Sequence, residues 1–149
     1  MGAAESGTHS AAARAGSGLD PARRARHNAR MSQVQTTQVA GKRIVEIDFD
    51  GCTPGKFAPV IAEAMRVLAA EPRASVRALT RVDNVRFDPA TVAEMARFSS
   101  FAMPYLKANA IVGVTGIKKV VFGGIKPLYK VPVELFDRPD AAREWLAQR

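Results

Sequence analysis

Two hydrophobic periods alternate along this chain. Val34–Val39 and Arg43–Phe49 are rich in β-branched residues and are joined by Ala40-Gly41-Lys42, which predicts a hairpin. Within the second stretch Val45, Ile47 and Phe49 share one face, and Glu46 and Asp48 the other. The period then becomes helical through Phe57, Val60, Ile61, Ala64, Met65 and Leu68; Pro59 sets the start of the regular part and Pro72 ends it. Val76–Val82 reads as a strand. Asp88 as N-cap with Pro89 at the first helical position opens a second helix, running through Val92, Met95, Ala96 and Ser99 toward Leu106 and bent near Pro104. Ala110–Val114 reads as a buried strand from its unbroken apolarity. Ile117, Val120, Val121 and Ile125 give a short helix, loosened by Gly123-Gly124 and closed by Pro127. Val131–Phe136 is a last strand, placed at an edge because Pro132 has no N–H for a ladder. Asp137–Asp140 starts a final helix with Ala141, Trp145 and Leu146 inward.

The resulting order, ββαβαβαβα, predicts an α/β fold: a mixed, mostly parallel sheet of about five strands with covering helices. The 149 residues suffice for one such domain and a tail. Residues 1–30 hold no large apolar residue beyond Met1 and Leu19, which predicts a disordered basic tail, an extension upstream of a start at Met31 or a cloning artefact. Residues 31–149 are then the single folded domain. No apolar run reaches the ~20 residues of a membrane-spanning helix. The single cysteine, Cys52, excludes an intramolecular disulfide and fits a cytoplasmic setting.

Charge changes this picture locally. The net charge is +8, of which the tail carries +3. Between Glu94 and Glu134 there is no acidic residue, yet Arg97, Lys107, Lys118, Lys119, Lys126 and Lys130 all fall there. At the centre of that segment, Gly113-Val-Thr115-Gly116-Ile-Lys118-Lys119 joins an apolar strand to a basic helix start. Backbone N–H groups and two ammonium groups at such a turn suit an anion. The spacing departs from a nucleotide-binding P-loop, which separates its glycines by four residues before Lys. Gly113, Thr115, Gly116, Lys118 and Lys119 are therefore a candidate anion site, with Thr115 either N-cap or ligand hydroxyl.

The run Lys107–Val120, Phe136-Asp137, Ala142–Leu146, Asp48–Gly51 and Asp83 with Phe87-Asp88-Pro89 resemble the SpoIIAA-like proteins of the STAS superfamily, named for sulfate transporters and anti-sigma-factor antagonists. The resemblance spans residues 38–147 and implies the same element order. It also implies a non-catalytic regulatory or interaction domain, with a kinase-like or acidic protein partner and homodimer formation. The family's phosphorylated serine lies in Asp-Ser-Ser-Gly at the start of the second helix; here Asp88-Pro-Ala-Thr91-Val92 lacks that motif, leaving Thr91 at or beside the acceptor position. A further likeness to CRAL-TRIO lipid-transfer domains implies an apolar pocket, hence an alternative role as carrier or sensor of an anionic or lipid-like ligand.

Catalytic chemistry is poorly provided for. Both histidines, His9 and His27, fall in the tail, so residues 31–149 lack the commonest general base and metal ligand. The carboxylates Asp48, Asp50, Asp83 and Asp88 read as caps and loop residues, and an enzyme built on them is the third and least supported role. We expect no catalytic residue, no metal and no cofactor. Phe98, Phe101 and Tyr105, spaced i, i+3, i+7, have three readings: core, dimer interface or pocket lining. No nucleic-acid recognition motif accompanies the basic residues.

Overall fold

The computed structural model describes residues 33–86 and 88–149. The tail expected over 1–30, with His9 and His27, lies outside those residues, as do Met31, Ser32 and Phe87.

Five strands form one sheet in chain order: β1 (Val34–Val39), β2 (Lys42–Asp48), β3 (Val76–Arg81), β4 (Leu106–Val112) and β5 (Val133–Phe136). β1 runs antiparallel to β2, and the other three pairs are parallel. The hairpin closes on Ala40 (φ 52°) and Gly41 (φ 77°). Two successive positive φ values give the turn twist that matches the strands. Each strand lies beside its predecessor, so successive crossovers step in one direction, and right-handed connections then keep their helices on one side.

Helices α1 (Pro54–Ala69) and α2 (Pro89–Ala102) pack on each other. They cover the larger core, where Val45, Ile47, Phe57, Val60, Ile61, Ala64, Leu68 and Val76 are buried. Phe49 stacks on Phe57 with ring centroids 5.1 Å apart and meets Phe98 edge-on at 6.2 Å. α1 starts at Pro54, earlier than Pro59 implied. Pro59 is exposed near the helix start, where its ring costs little more than one backbone bond.

Among the described residues a single helix, α4 (Pro139–Ala147), lies across the opposite side and approaches all five strands. Ala142 and Leu146, both 0% exposed, meet Ile44, Leu79, Ala108, Ala110 and Val112. Trp145 is half-buried against Phe136, with ring centroids 5.7 Å apart, and Ala142 rather than Ala141 faces inward. α4 is also tied by charge. Glu46, 5% exposed on β2, accepts bonds from Arg143 Nε at 2.7 Å and Nη2 at 2.9 Å, and from the Thr37 hydroxyl at 2.7 Å. Burial alone would push the Glu46 carboxyl up. The Arg143 and Thr37 hydrogen bonds, with the charges of Arg143 and Arg81, overcome this and hold it below the usual carboxylate range.

The segment around residue 106 departs from expectation. α2 ends at Ala102, a 3₁₀ turn covers Met103–Tyr105, and Leu106 already belongs to β4, four residues before the predicted strand start at Ala110. Val76 pairs with Leu106 but Arg77 with Ala108, so Lys107 is an extra, exposed residue. This bulge moves the following residues to the other face of the sheet. Leu106 thus joins the α1–α2 core, whereas Ala108, Ala110 and Val112 face α4. Asn109 is buried beside Thr80, whose hydroxyl donates to Asn109 Oδ1 at 3.3 Å.

The facing of α2 also differs. Its buried residues are Thr91, Phe98 and Ala102, while Val92 and Ala96 of the predicted sheet-covering stripe are exposed. α3 (Ile117–Ile125) is followed by a 3₁₀ turn over Lys126–Leu128; its Val120 is 74% exposed and its Phe122 is buried. β5 starts at Val133, two residues later than expected, and lies at the sheet edge.

Candidate functional site

The C-terminal ends of the parallel strands are where α/β folds place their ligands. Here β2, β3 and β4 bring Asp48, Arg81 and Gly113 together. Arg81 lies 3.4 Å from Asp83 Oδ2 through Nε, and 4.0 Å from carboxylate oxygens of Asp48 and Asp50. The loop is braced internally. The Asp50 N–H donates to Asp48 Oδ1 at 2.8 Å, Asn84 Nδ2 to Asp50 Oδ1 at 3.1 Å, and the Gly51 N–H to the Asp83 carbonyl at 3.0 Å. The cluster therefore turns its charges on one another.

Gly113 is part of this arrangement. Its φ is +97°, and a Cβ there would stand 2.5 Å from Asp83 Cγ and 2.8 Å from the Asp83 backbone nitrogen. Only glycine allows β4 to leave the sheet so close to the β3 loop. The chain then passes buried Val114 and exposed Thr115 to Gly116 (φ +61°), which is the N-cap of α3. Thr115 is thus not the N-cap; its carbonyl accepts the Lys118 N–H at 3.3 Å, and the Gly116 carbonyl accepts the Lys119 N–H at 3.0 Å.

The two lysines are directed elsewhere. Lys118 Nζ donates to the Val85 carbonyl at 3.1 Å, and Lys119 Nζ lies 3.6 Å from Asp137. Lys126 pairs with Glu134 at 2.6 Å, and Arg97 pairs with Glu94. The acid-free segment is thus met by acids from its borders. The structure brings Gly113, Thr115, Gly116, Lys118 and Lys119 together as one turn, with the Asp83 carboxylate against it.

Thr91 sits in the first turn of α2, where Asp88 Oδ1 accepts its N–H at 2.7 Å and caps the helix. That backbone bond is the chief cause holding the Asp88 carboxyl below its ordinary value, and the charge of nearby Arg86 adds to it. Thr91 is 2% exposed, which puts its hydroxyl out of a kinase's reach in the folded state. Of the three aromatics, Phe98 is core, and Phe101 and Tyr105 are half-buried against that core with centroids 5.6 Å apart. Cys52 is buried, its Sγ accepting from Gln33 Nε2 at 3.3 Å. Among the described residues no group of three or more His, Cys, Asp or Glu could hold a metal ion, and no helix is long and apolar enough to cross a membrane.

Sequence patterns do not reveal a second concavity. A cleft of about 420 Å³ runs along β5, lined by Pro127, Tyr129, Val131–Val133 and Trp145 together with the charged residues Lys126, Glu134 and Arg149. The Arg149 guanidinium lies 4.4 Å from the Trp145 ring centroid, and the Arg149 carbonyl accepts Arg77 Nη2 at 2.8 Å. The visible signal was the pair Pro127 and Pro132 framing Tyr129 beside an edge strand; Trp145 and Arg149 join only through the fold.

No family model matches the chain, and no curated protein does. A solved structure from Shewanella loihica PV-4, an uncharacterized protein of the DUF3478 family with a SpoIIAA-like fold, superposes with a TM-score of 0.58 at 12% identity. The match covers 76% of this chain and 91% of that one. The fold of this protein is accordingly SpoIIAA-like, a mixed and mostly parallel five-stranded α/β sheet.

Proposed function

We propose that this domain is a non-catalytic, STAS-type interaction module that acts by binding a protein partner. The observation that carries the reading is the Arg81 cluster. At the strand ends, where an α/β enzyme keeps reactive groups, Arg81 is ringed by Asp48, Asp50 and Asp83. The alternative, a carrier of an anionic ligand at Gly113–Lys119, has the Asp83 carboxylate opposing an anion at the same turn. The test pairs two measurements. Affinity capture of the tagged protein should recover a partner in stoichiometric amount. Panels of ester and phosphoester substrates, with Mg²⁺ or Mn²⁺, should give no turnover. Turnover abolished by Asp83→Asn would overturn the reading and establish carboxylate chemistry instead.

A further inference from the structure

The open edge of the sheet has a specific shape. The carbonyls of Pro132 and Phe136 accept bonds from the N–H groups of Asn109 and Gly113, at 3.0 and 3.2 Å. Backbone direction alternates along a strand. Residues 132, 134 and 136 therefore turn their backbone toward β4. Val133 and Leu135 turn N–H and C=O to the outer side of β5, where the sheet has no further strand among the described residues. The cleft of Tyr129, Trp145, Pro127 and Pro132 lies along this same edge. An outward row of backbone donors and acceptors beside an apolar, aromatic-walled hollow is the arrangement that strand addition uses: the ladder supplies affinity and the pocket reads alternate side chains.

The charges choose among occupants. Within the lining Lys126 and Glu134 neutralise each other at 2.6 Å, which leaves Arg149 as the unbalanced cation of the lining, with exposed Lys130 next to Tyr129 in the chain. A second copy pairing through its own β5 would set these cations against themselves. We propose that β5 and its cleft take an extended, acidic segment of a partner protein as a sixth strand, with an apolar or aromatic side chain seated between Tyr129 and Trp145. This rests on the reading of the domain as an interaction module and names where and how the partner binds.

The probe is a set of short blocked peptides with Asp or Glu flanking a central Pro, Tyr or Trp between β-branched residues, alongside the same peptides with Lys replacing the acids. Titrated into the full chain, the acidic set should bind and slow hydrogen exchange of the Val133 and Leu135 amides. Arg149→Glu, a surface change, should weaken acidic peptides roughly tenfold and improve the lysine set. Val133→Pro, which removes an outward N–H together with a buried side chain, should abolish binding, whereas Val133→Ala, which trims the same side chain but keeps that N–H, should still bind. Equal binding of both sets, or binding without protection of those two amides, would overturn the proposal, as would concentration-dependent dimers that Val133→Pro dissolves. If no peptide binds while capture of a whole partner survives Arg149→Glu, the edge site is wrong and the interaction module stands. If capture fails as well, the broader reading falls with it.

Discussion

Two glycines make opposite predictions. Gly113 combines φ +97° with Asp83 atoms, including a backbone nitrogen, inside 3 Å of any added Cβ. Gly113→Ala should therefore destabilise the domain by about 2–4 kcal/mol, read as a lowered urea midpoint at unchanged slope. Gly123 lies inside α3 with nothing near an added Cβ and ordinary φ. Gly123→Ala should instead stabilise by up to about 1 kcal/mol. Thr91 supplies a third residue-scale test. A hydroxyl 2% exposed cannot become a carboxylate without burying a charge or opening the helix. Thr91→Glu should lower the melting temperature and cost about 3 kcal/mol or more, whereas Thr91→Val should stay within about 1 kcal/mol of the parent. A Glu variant with the parent's stability would restore Thr91 as a phosphorylation site.

Among the elements, α4 is held by packing and by the Glu46–Arg143 pair. The Glu46 carboxyl is depressed in the folded state. Its stabilisation is then complete above the unfolded glutamate value of about 4.3, and fades as pH falls below that value through the folded one. Glu46→Gln should cost about 2–4 kcal/mol at neutral pH, somewhat less than a fully buried pair because Arg143 keeps 30% of its side-chain surface. The gap between variant and parent should narrow as denaturation is repeated toward pH 3, and a constant gap would refute the assignment. Elements whose signals are local were legible in the sequence: the hairpin, the burial of Phe57, Val60, Ile61, Ala64 and Leu68 on α1, the Asp88-Pro89 helix start, and the edge position of β5. The start of β4 was hidden, because Lys107 interrupts the apolar run and the bulge it forms depends on pairing with β3. The facing of α2 was hidden because two stripes compete, and the Phe49 ring, remote in sequence, selects Phe98. For the candidate site, the Gly113–Lys119 turn was visible as a unit; the engagement of its lysines by Val85 and Asp137, and the cleft along β5, arise only from contacts across the fold.

At the scale of the described domain, residues 33–149, the sheet is covered unequally. Two packed helices share the larger core, but the other face, with Ile44, Leu79, Ala108, Ala110 and Val112, rests on the nine residues of α4. A chain ending at residue 138 should retain its strands yet expose that face. The expected result is strong binding of a hydrophobic dye and self-association in sedimentation, and a monomeric, dye-silent fragment would show that α4 is dispensable. Chain order gives this asymmetry a meaning during synthesis. Strands laid down as β1, β2, β3, β4, β5 can each join a neighbour already made, so the sheet can grow as the ribosome proceeds. Its lid is made afterwards. Until α4 has followed β5 into place, the face formed by Ile44, Leu79, Ala108, Ala110 and Val112 has no described helix to cover it. The last described helix thus sets the point in synthesis at which this face of the sheet can first be closed.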